Sequence, residues 1–470
     1  MAFNHGVRTT ETPTSIIATK TDSIVPFYVG TAPINMCKKQ NINEPILCYS
    51  YAEAVENFGY INDFENYTLC EAIDAHFSKF GAGPIVLVNV LDPKTHKKSI
   101  QSQSIVLGEN KTAVIKEKGI LLDSITTDPE ITCIKEFNEE GEVIIIQTGV
   151  EEVPGKNLSV NFEKLDPTMI KNTDIVGGVD GESGKKKGFE CISTVFPKYR
   201  LIPNLLLAPK WSTDSTVAAV METKANLING HFKGLALVDI DTKKMKKYSE
   251  VPKEKNTNNL VSPFLEVCYP KVKLGDIQYH LSTQIACLIQ SLATKNDGIP
   301  YKSPSNENIK GDSTCLADGT DVFLGLDEAN YLNENGITTA INWTGGWKAW
   351  GNRTGAYPDV TDPKDSFIVS RLMFNFLTNS IVQTYWQKVD DPTNKNLITT
   401  ITDSVNIWLN GLQAAGKIIG GRVEFREEDN TVTSLIDGKI KFKLYFSPAL
   451  PAEDICFDLE IDTNYYKNLF

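Results

Sequence analysis

Apolar and polar positions follow two rhythms along this chain, one of helical period and one of strand period. The first apolar run is residues 24–30 (IVPFYVG), which leaves residues 1–22 as an arm without a core of its own. Ser50 and Glu53 have the S-x-x-E spacing of a capping box, and Val55, Phe58 and Gly59 complete a short helix behind it. Leu69, Ala72, Ile73, His76, Phe77 and Phe80 recur at helical spacing as far as Gly81, so a second helix turns an apolar stripe towards a sheet. Residues 85–91 (IVLVNVL) are nearly continuous in apolar side chains, which suits a parallel strand buried on both faces.

The pattern then breaks. Residues 96–187 show no helical periodicity, only short β-like runs at 104–107, 112–115, 131–134 and 143–147, and read as an inserted small β domain. Beyond it β/α alternation resumes, with a helix near 189–196, a strand at 204–208, a helix at 214–229, a strand at 235–240 and a helix over 277–294. The two flanks, 23–95 and 188–452, therefore build one α/β (α+β) core. Residues 296–335 read as loop-rich. Asp362 is an N-cap with Pro363 at the first helical position, opening a helix that carries Phe367, Arg371, Phe374, Ile381 and Tyr385. A further helix places Leu397, Ile401, Val405, Trp408 and Leu412 on one stripe.

The last fifty or so residues alternate with period two. Val423 and Phe425 alternate with charged neighbours, and Ile440, Phe442, Leu444 and Phe446 alternate with Lys439, Lys441, Lys443 and Tyr445. Ile455, Phe457, Leu459 and Ile461 alternate with Cys456, Asp458 and Glu460. One strand has a basic polar face and the last an acidic one, so setting them side by side gains roughly 0.2–1 kcal/mol per cross-strand pair. The final stretch, 453–470, is a second arm.

With 470 residues the chain has length for about three domains. Its 47 Lys and Arg against 59 Asp and Glu give a net charge of −12, the wrong sign for neutralising phosphates, so nucleic acid is not expected as a direct partner. The nine cysteines are scattered without any C-x-x-C pair, and point to reduced thiols rather than a zinc site or disulfide framework. Residues 1–23 carry no signal-peptide pattern and no segment is apolar enough to span a bilayer, so a chain made in a cytosol without membrane insertion is expected.

Candidate chemistry is sparse. The Gly177–Lys187 segment (GGVDGESGKKK) lacks the first glycine and the Ser/Thr of a Walker A loop, since positions 179 and 186 are Val and Lys. Its Ser183 fails the nucleophile-elbow pattern because position 185 is lysine. Asp239-Ile-Asp241-Thr242 resembles an acidic strand-end motif but has Lys243 where an aspartyl-phosphate motif needs Thr. His76 reads as a satisfied core side chain, and His231 as a helix-end residue meeting carbonyls. The lysines from 243 to 255 read as a solvated connection, and Trp343, Trp347 and Trp350 as packing rather than a ligand platform. No catalytic, cofactor or metal site is predicted.

Two orphan arms on a large chain without catalytic residues favour assembly. The chain resembles the contractile tail sheath proteins of bacteriophages and R-type tail-like bacteriocins. The resemblance lies in HGVRTTETPTS (5–15), GTAPIN (30–35), PILCYSYAEAVENFGY (45–60), KYRLIPNLLLAPKW (198–211) and NGHFKGLALVDIDT (229–242). It is densest in GWKAWGNRTGAYPDVTDPKDSFIVSR (346–371), where Trp347, Trp350, Gly351, Arg353, Asp362, Pro363 and Arg371 stand as the family's core motif. The resemblance implies a structural subunit, not an enzyme and without cofactor, that stacks in helical rings of itself around an inner tail tube. It implies contact with baseplate and tail terminator proteins, assembly in the host bacterial cytoplasm, and residence in the tail sheath of a virion or bacteriocin particle. The arms, through Val7, Thr9, Ile455, Phe457, Asp458, Leu459 and Glu460, would then complete a sheet with the strands of Val423, Phe425, Lys441 and Lys443 in adjoining copies. The 96–187 insertion would face outward, residues 336–452 would face the tube, and Lys395 or Lys417 would touch it. A sheath-like component of another contractile injection system, and more remotely a soluble α/β enzyme, are the alternatives.

Overall fold

The computed structural model describes residues 24–151 and 153–469. The N-terminal arm, with Val7 and Thr9, lies outside the described residues. At the centre is an eight-stranded sheet in the order Ile46–Cys48, Ile85–Asn89, Val25–Gly30, Pro203–Leu207, Leu235–Asp239, Leu265–Cys268, Ile337–Trp343 and Gly346–Trp350. The inner strands pair in parallel, and each edge strand is antiparallel to its neighbour. Val25–Gly30, Ile85–Asn89 and Leu235–Asp239 are buried at every residue, because helices such as Leu281–Lys295 and Ser215–Asn226 cover the sheet. His76 is sealed in this core between the Tyr28 hydroxyl at 2.7 Å and the Gln290 carboxamide at 2.8 Å. Burial pushes its pKa down to about 4, so the ring is neutral.

The stretch between the third strand and the fourth is mostly β. Lys97–Val106, Asn157–Leu165 and Thr126–Asp128 form one three-stranded sheet, and Thr112–Ile115, Val143–Gln147 and Cys133–Phe137 form another. Between them lies a separate apolar core containing Ile105, Ile115, Val143, Leu158, Val160 and Phe162. Ile170 and Ile175, later in the same stretch, pack into the main core instead. The compact β unit is therefore 97–165, and residues 166–187 lead back to the sheet.

The C-terminal part folds around Val369, Met373, Phe376, Leu377, Val405, Leu409 and Leu412. These come from the helices Ile368–Tyr385 and Lys395–Ala414, over which lies a two-stranded antiparallel sheet, Ile418–Glu424 with Lys443–Pro448.

Several expectations are corrected. Residues 277–279 are a strand, and the helix begins at Leu281. The helix expected near 189–196 runs Ile192–Tyr199. The loop-rich residues 296–335 also hold short elements not anticipated: Ser313–Cys315 and Asp321–Val322 join a four-stranded sheet, and Leu326–Asn333 is a helix whose Glu328 carboxylate accepts the Gly325 N–H at 2.9 Å. The helix opened by Asp362 is broken at Phe367, whose extended backbone (φ −102°, ψ 130°) divides Pro363–Ser366 from Ile368–Tyr385. Lys255 does not sit in a solvated connection. It is buried in the helix Val251–Thr257, its ammonium donating to the Asn335 and Tyr357 carbonyls at 2.8 Å each, and burial lowers its pKa to about 8. Of the three tryptophans, Trp347 packs and donates to the Asp312 carbonyl at 2.9 Å, while Trp343 is exposed.

Candidate assembly site

Residues 346–371 form a staple between the large sheet and the C-terminal helices. Trp347 and Trp350 lie on the edge strand Gly346–Trp350, which the chain leaves through Gly351. Gly351 has φ +144°, and a Cβ there would stand 3.0 Å from the Thr338 Cα, so a side chain is disfavoured both by conformation and by space. The Arg353 guanidinium lies 3.8 Å from the Phe367 ring centroid and 4.5 Å from that of Tyr357, and pairs with the Glu453 carboxylate. Main-chain bonds from Thr354 N to Ser366 O (3.0 Å) and from Ile368 N to Asn352 O (2.9 Å) close the loop. Asp362 accepts the Lys364 N–H at 2.9 Å ahead of Pro363, which has no N–H to leave unpaired. Arg371 is held by Asp365 at 2.9 Å, and burial lowers its pKa. Every member of the motif is thus engaged within the fold. The motif's outlet is Glu453, where the C-terminal arm departs.

Among the described residues that arm has no strand partner. From residue 449 to 462 it forms no helix or strand, with Ile455 67%, Phe457 80%, Leu459 96% and Ile461 75% exposed. An apolar stripe so placed is strongly disfavoured in water, and each such side chain gains about 1.5–3 kcal/mol when fully buried. The strand expected over 455–461 is therefore not formed in the single chain, since period-two patterning specifies a strand only where another strand supplies hydrogen bonds.

The two-stranded sheet has what the arm lacks. Val423 lies opposite Leu444, and Glu424 opposite Lys443. Phe425, just past the ladder, packs on Phe442 with ring centroids 5.8 Å apart. Two asparagines unmarked by any motif hold this sheet. The Asn406 carboxamide accepts from Val423 N at 2.9 Å and donates to Val423 O at 3.2 Å. The Asn430 carboxamide does the same for Lys441, at 2.7 and 2.8 Å. The Lys441 ammonium pairs with Asp429 at 3.1 Å. Of the two lysines expected at a tube surface, Lys395 is exposed at a helix start, but Lys417 is buried, its ammonium bonded to Asn296 O and Asp297 at 2.8 and 2.9 Å.

The C-terminal ends of the parallel strands, where α/β proteins bind ligands, hold groups locked onto one another. Asp239 is buried and accepts from Ser282 N, Ser282 Oγ and Ser212 Oγ. Glu71 accepts from His280 N at 2.6 Å and contacts its Nδ1 at 2.7 Å, while His280 Nε2 takes the Lys210 N–H. The Gly177–Lys187 segment is a small hairpin in which Asp180 accepts from Ser183 N and Oγ. The His231 ring meets the Trp386 ring edge-to-face at 5.0 Å. Among the described residues no helix is long and apolar enough to cross a membrane, and no three metal-ligating side chains are grouped.

A stapled α/β core, a two-stranded sheet set apart from the large one and an exposed apolar arm define a class of protein, an α+β subunit whose chemistry is locked inside its fold. Comparison with known proteins shows which proteins the chain is similar to. The chain is 26% identical over 494 residues to the tail sheath protein of Burkholderia phage BcepMu, covering 100% of this chain and 99% of that one. It is 33% identical over 176 residues to the major tail sheath protein of Serratia phage KSP20, covering 36% of this chain and 42% of that one. Its fold matches the sheath of the extracellular contractile injection system PVC in the contracted state, with TM-score 0.59, 14% identity and 99% of both chains covered. No family model matches. The chain is a homologue of contractile tail sheath proteins and carries their α+β fold.

Proposed function

We propose that this protein is the structural subunit of a contractile tail sheath, polymerising helically around an inner tail tube and contracting to drive that tube through a target cell envelope. The observation that carries the reading is the pairing, in one chain similar end to end to a tail sheath protein, of an open two-stranded sheet with an exposed apolar arm. In this reading residues 453–470 leave their own subunit and add to the 418–424/443–448 sheet of a neighbour, and the N-terminal arm does the same from another copy. Main-chain bonds of about 0.5–1.5 kcal/mol net each then keep the mesh joined while subunits rotate. The particle is a phage tail or tail-like bacteriocin, assembled in the host cytoplasm with baseplate and terminator proteins at its ends. Contraction draws on lattice geometry rather than on nucleotide or other catalysis. The locked groups at the strand ends support a non-enzymatic role.

The test is negative-stain electron microscopy of the concentrated, purified protein without tube or baseplate. Long, wide, helically striated tubes are expected. Separate particles at every concentration, with and without added tube, would overturn the reading.

A further inference from the structure

The two edges of the C-terminal sheet are not equivalent. In an antiparallel ladder, residues alternate between pairs that exchange both main-chain bonds and pairs whose N–H and C=O point away from each other. Both main-chain groups of Val423 go to the Asn406 carboxamide, so the Val423–Leu444 pair is of the outward-pointing kind. Glu424–Lys443 and Arg422–Tyr445 then exchange the ladder bonds. It follows that Leu444 and Phe446 aim their N–H and C=O groups at the opposite edge. Among the described residues no hydrogen bond from outside the ladder reaches either of them. Pro448, without an N–H, ends that edge. Asn430 seals a different position, occupying Lys441 where the ladder would otherwise continue past Glu424.

We infer that the sheet is open on one side and guarded on the other: the 443–448 edge receives the extended 455–461 segment of a second copy, while the 418–424 edge is closed at Val423 by Asn406 until that carboxamide swings away. The inference rests on the strand-exchange reading above. The occupant is indicated by complementarity. The arm offers a main chain over 455–461 that is unpaired among the described residues, and four exposed apolar side chains that alternate in sequence with Cys456 and the acidic Asp458 and Glu460, against an edge flanked by Lys441 and Lys443. A guard of this kind makes addition ordered, first at the free edge and then at the edge that must lose its own carboxamide bonds.

Amide hydrogen exchange on the dilute full-length protein is the direct test. The Val423 amide is expected to be protected and those of Leu444 and Phe446 to exchange freely; the reverse order would overturn the inference. Light scattering of Asn406→Ala supplies the second arm. Its polymerisation lag is expected to shorten by about threefold to tenfold, the factor carried by one or two net main-chain hydrogen bonds. Asn406→Asp, which keeps an acceptor for Val423 N–H but repels Val423 O, is expected to fall between. Equal or longer lags in variants that unfold as cooperatively as the wild type would show that Asn406 only braces the strand, and would overturn the guard. No polymer from any variant or from the wild type would instead sink the strand-exchange reading, and this inference with it.

Discussion

Leu237 and Leu459 are the same side chain in two opposite situations. Leu237 is fully buried in the fourth parallel strand of the large sheet, between neighbouring strands on both sides and under covering helices, whereas Leu459 is 96% exposed on an arm that joins no sheet among the described residues. The large sheet is finished within the chain: each of its outermost strands is an antiparallel cap on a parallel neighbour. The C-terminal sheet is two strands with one bare edge, fewer than an independent sheet needs. What the difference teaches is that stability and assembly are held by separate residues, so each can be broken without the other.

The largest effect expected is on assembly alone. Ending the chain after Ala452 should leave thermal unfolding nearly unchanged while raising the concentration needed for polymer, by sedimentation, at least ~100-fold. Two apolar side chains at ~1.5–3 kcal/mol each already exceed that factor. Loss of cooperative unfolding in the truncated protein would show that the arm belongs to the subunit's own core. Next, Leu237→Ala should cost about 2–5 kcal/mol of monomer stability in urea unfolding, whereas Leu459→Ala should cost nothing there and act only on polymerisation. Equal effects of the two on unfolding would erase the distinction between the regions.

A third prediction sharpens the description of the large sheet as finished. Glu266 is wholly buried on its fifth parallel strand, with one oxygen facing the Thr338 hydroxyl at 3.2 Å and the other unpartnered. Burial pushes its pKa up to about 8. In the unfolded chain a glutamate loses its proton near pH 4.3, so between there and about pH 8 the unfolded state binds fewer protons, and stability falls as pH rises. Glu266→Gln should therefore unfold like the wild type at pH 4 but be more stable at pH 8, by roughly 3–5 kcal/mol at 1.36 kcal/mol per pKa unit. A gain that is the same at both pH values would show that the carboxyl is not protonated in the fold.

The legible part of this molecule was whatever repeats locally. Residues 85–91 and 235–240 read as strands because short apolar runs bounded by turns have few other uses, and Leu397, Ile401, Val405 and Leu412 marked their helix face by period. What did not show were features decided at a distance. Phe367 lies in an apolar pattern that continues a helix, yet its backbone pairs with Arg353 and is pulled extended. Lys255 sits among solvated lysines, yet two carbonyls from remote loops draw it inward. Asn406 looks like any polar residue beside a stripe, because its role depends on a strand seventeen positions on. The 455–461 stripe shows the converse: its pattern was plain, but no single chain can satisfy it.

The smallest expected effect tests where the arm goes. If 455–461 adds beside 443–448 in another copy, Asp458 and Glu460 lie near Lys441 and Lys443, and each pair contributes roughly 0.2–1 kcal/mol. Reversing both acids to lysine should weaken polymerisation by a few fold, more at low salt than at high, since exposed pairs are screened. Reversing both lysines to glutamate should restore it. The rescue should be unequal. Lys441 is already paired with Asp429 at 3.1 Å in the free subunit and must give up that partner, while Lys443 rests near the Tyr445 ring. Lys443→Glu alone should therefore recover more polymer against the Asp458→Lys/Glu460→Lys chain than Lys441→Glu does. No recovery from the double reversal would place the arm against a different edge, and would do so without touching the stability of either sheet.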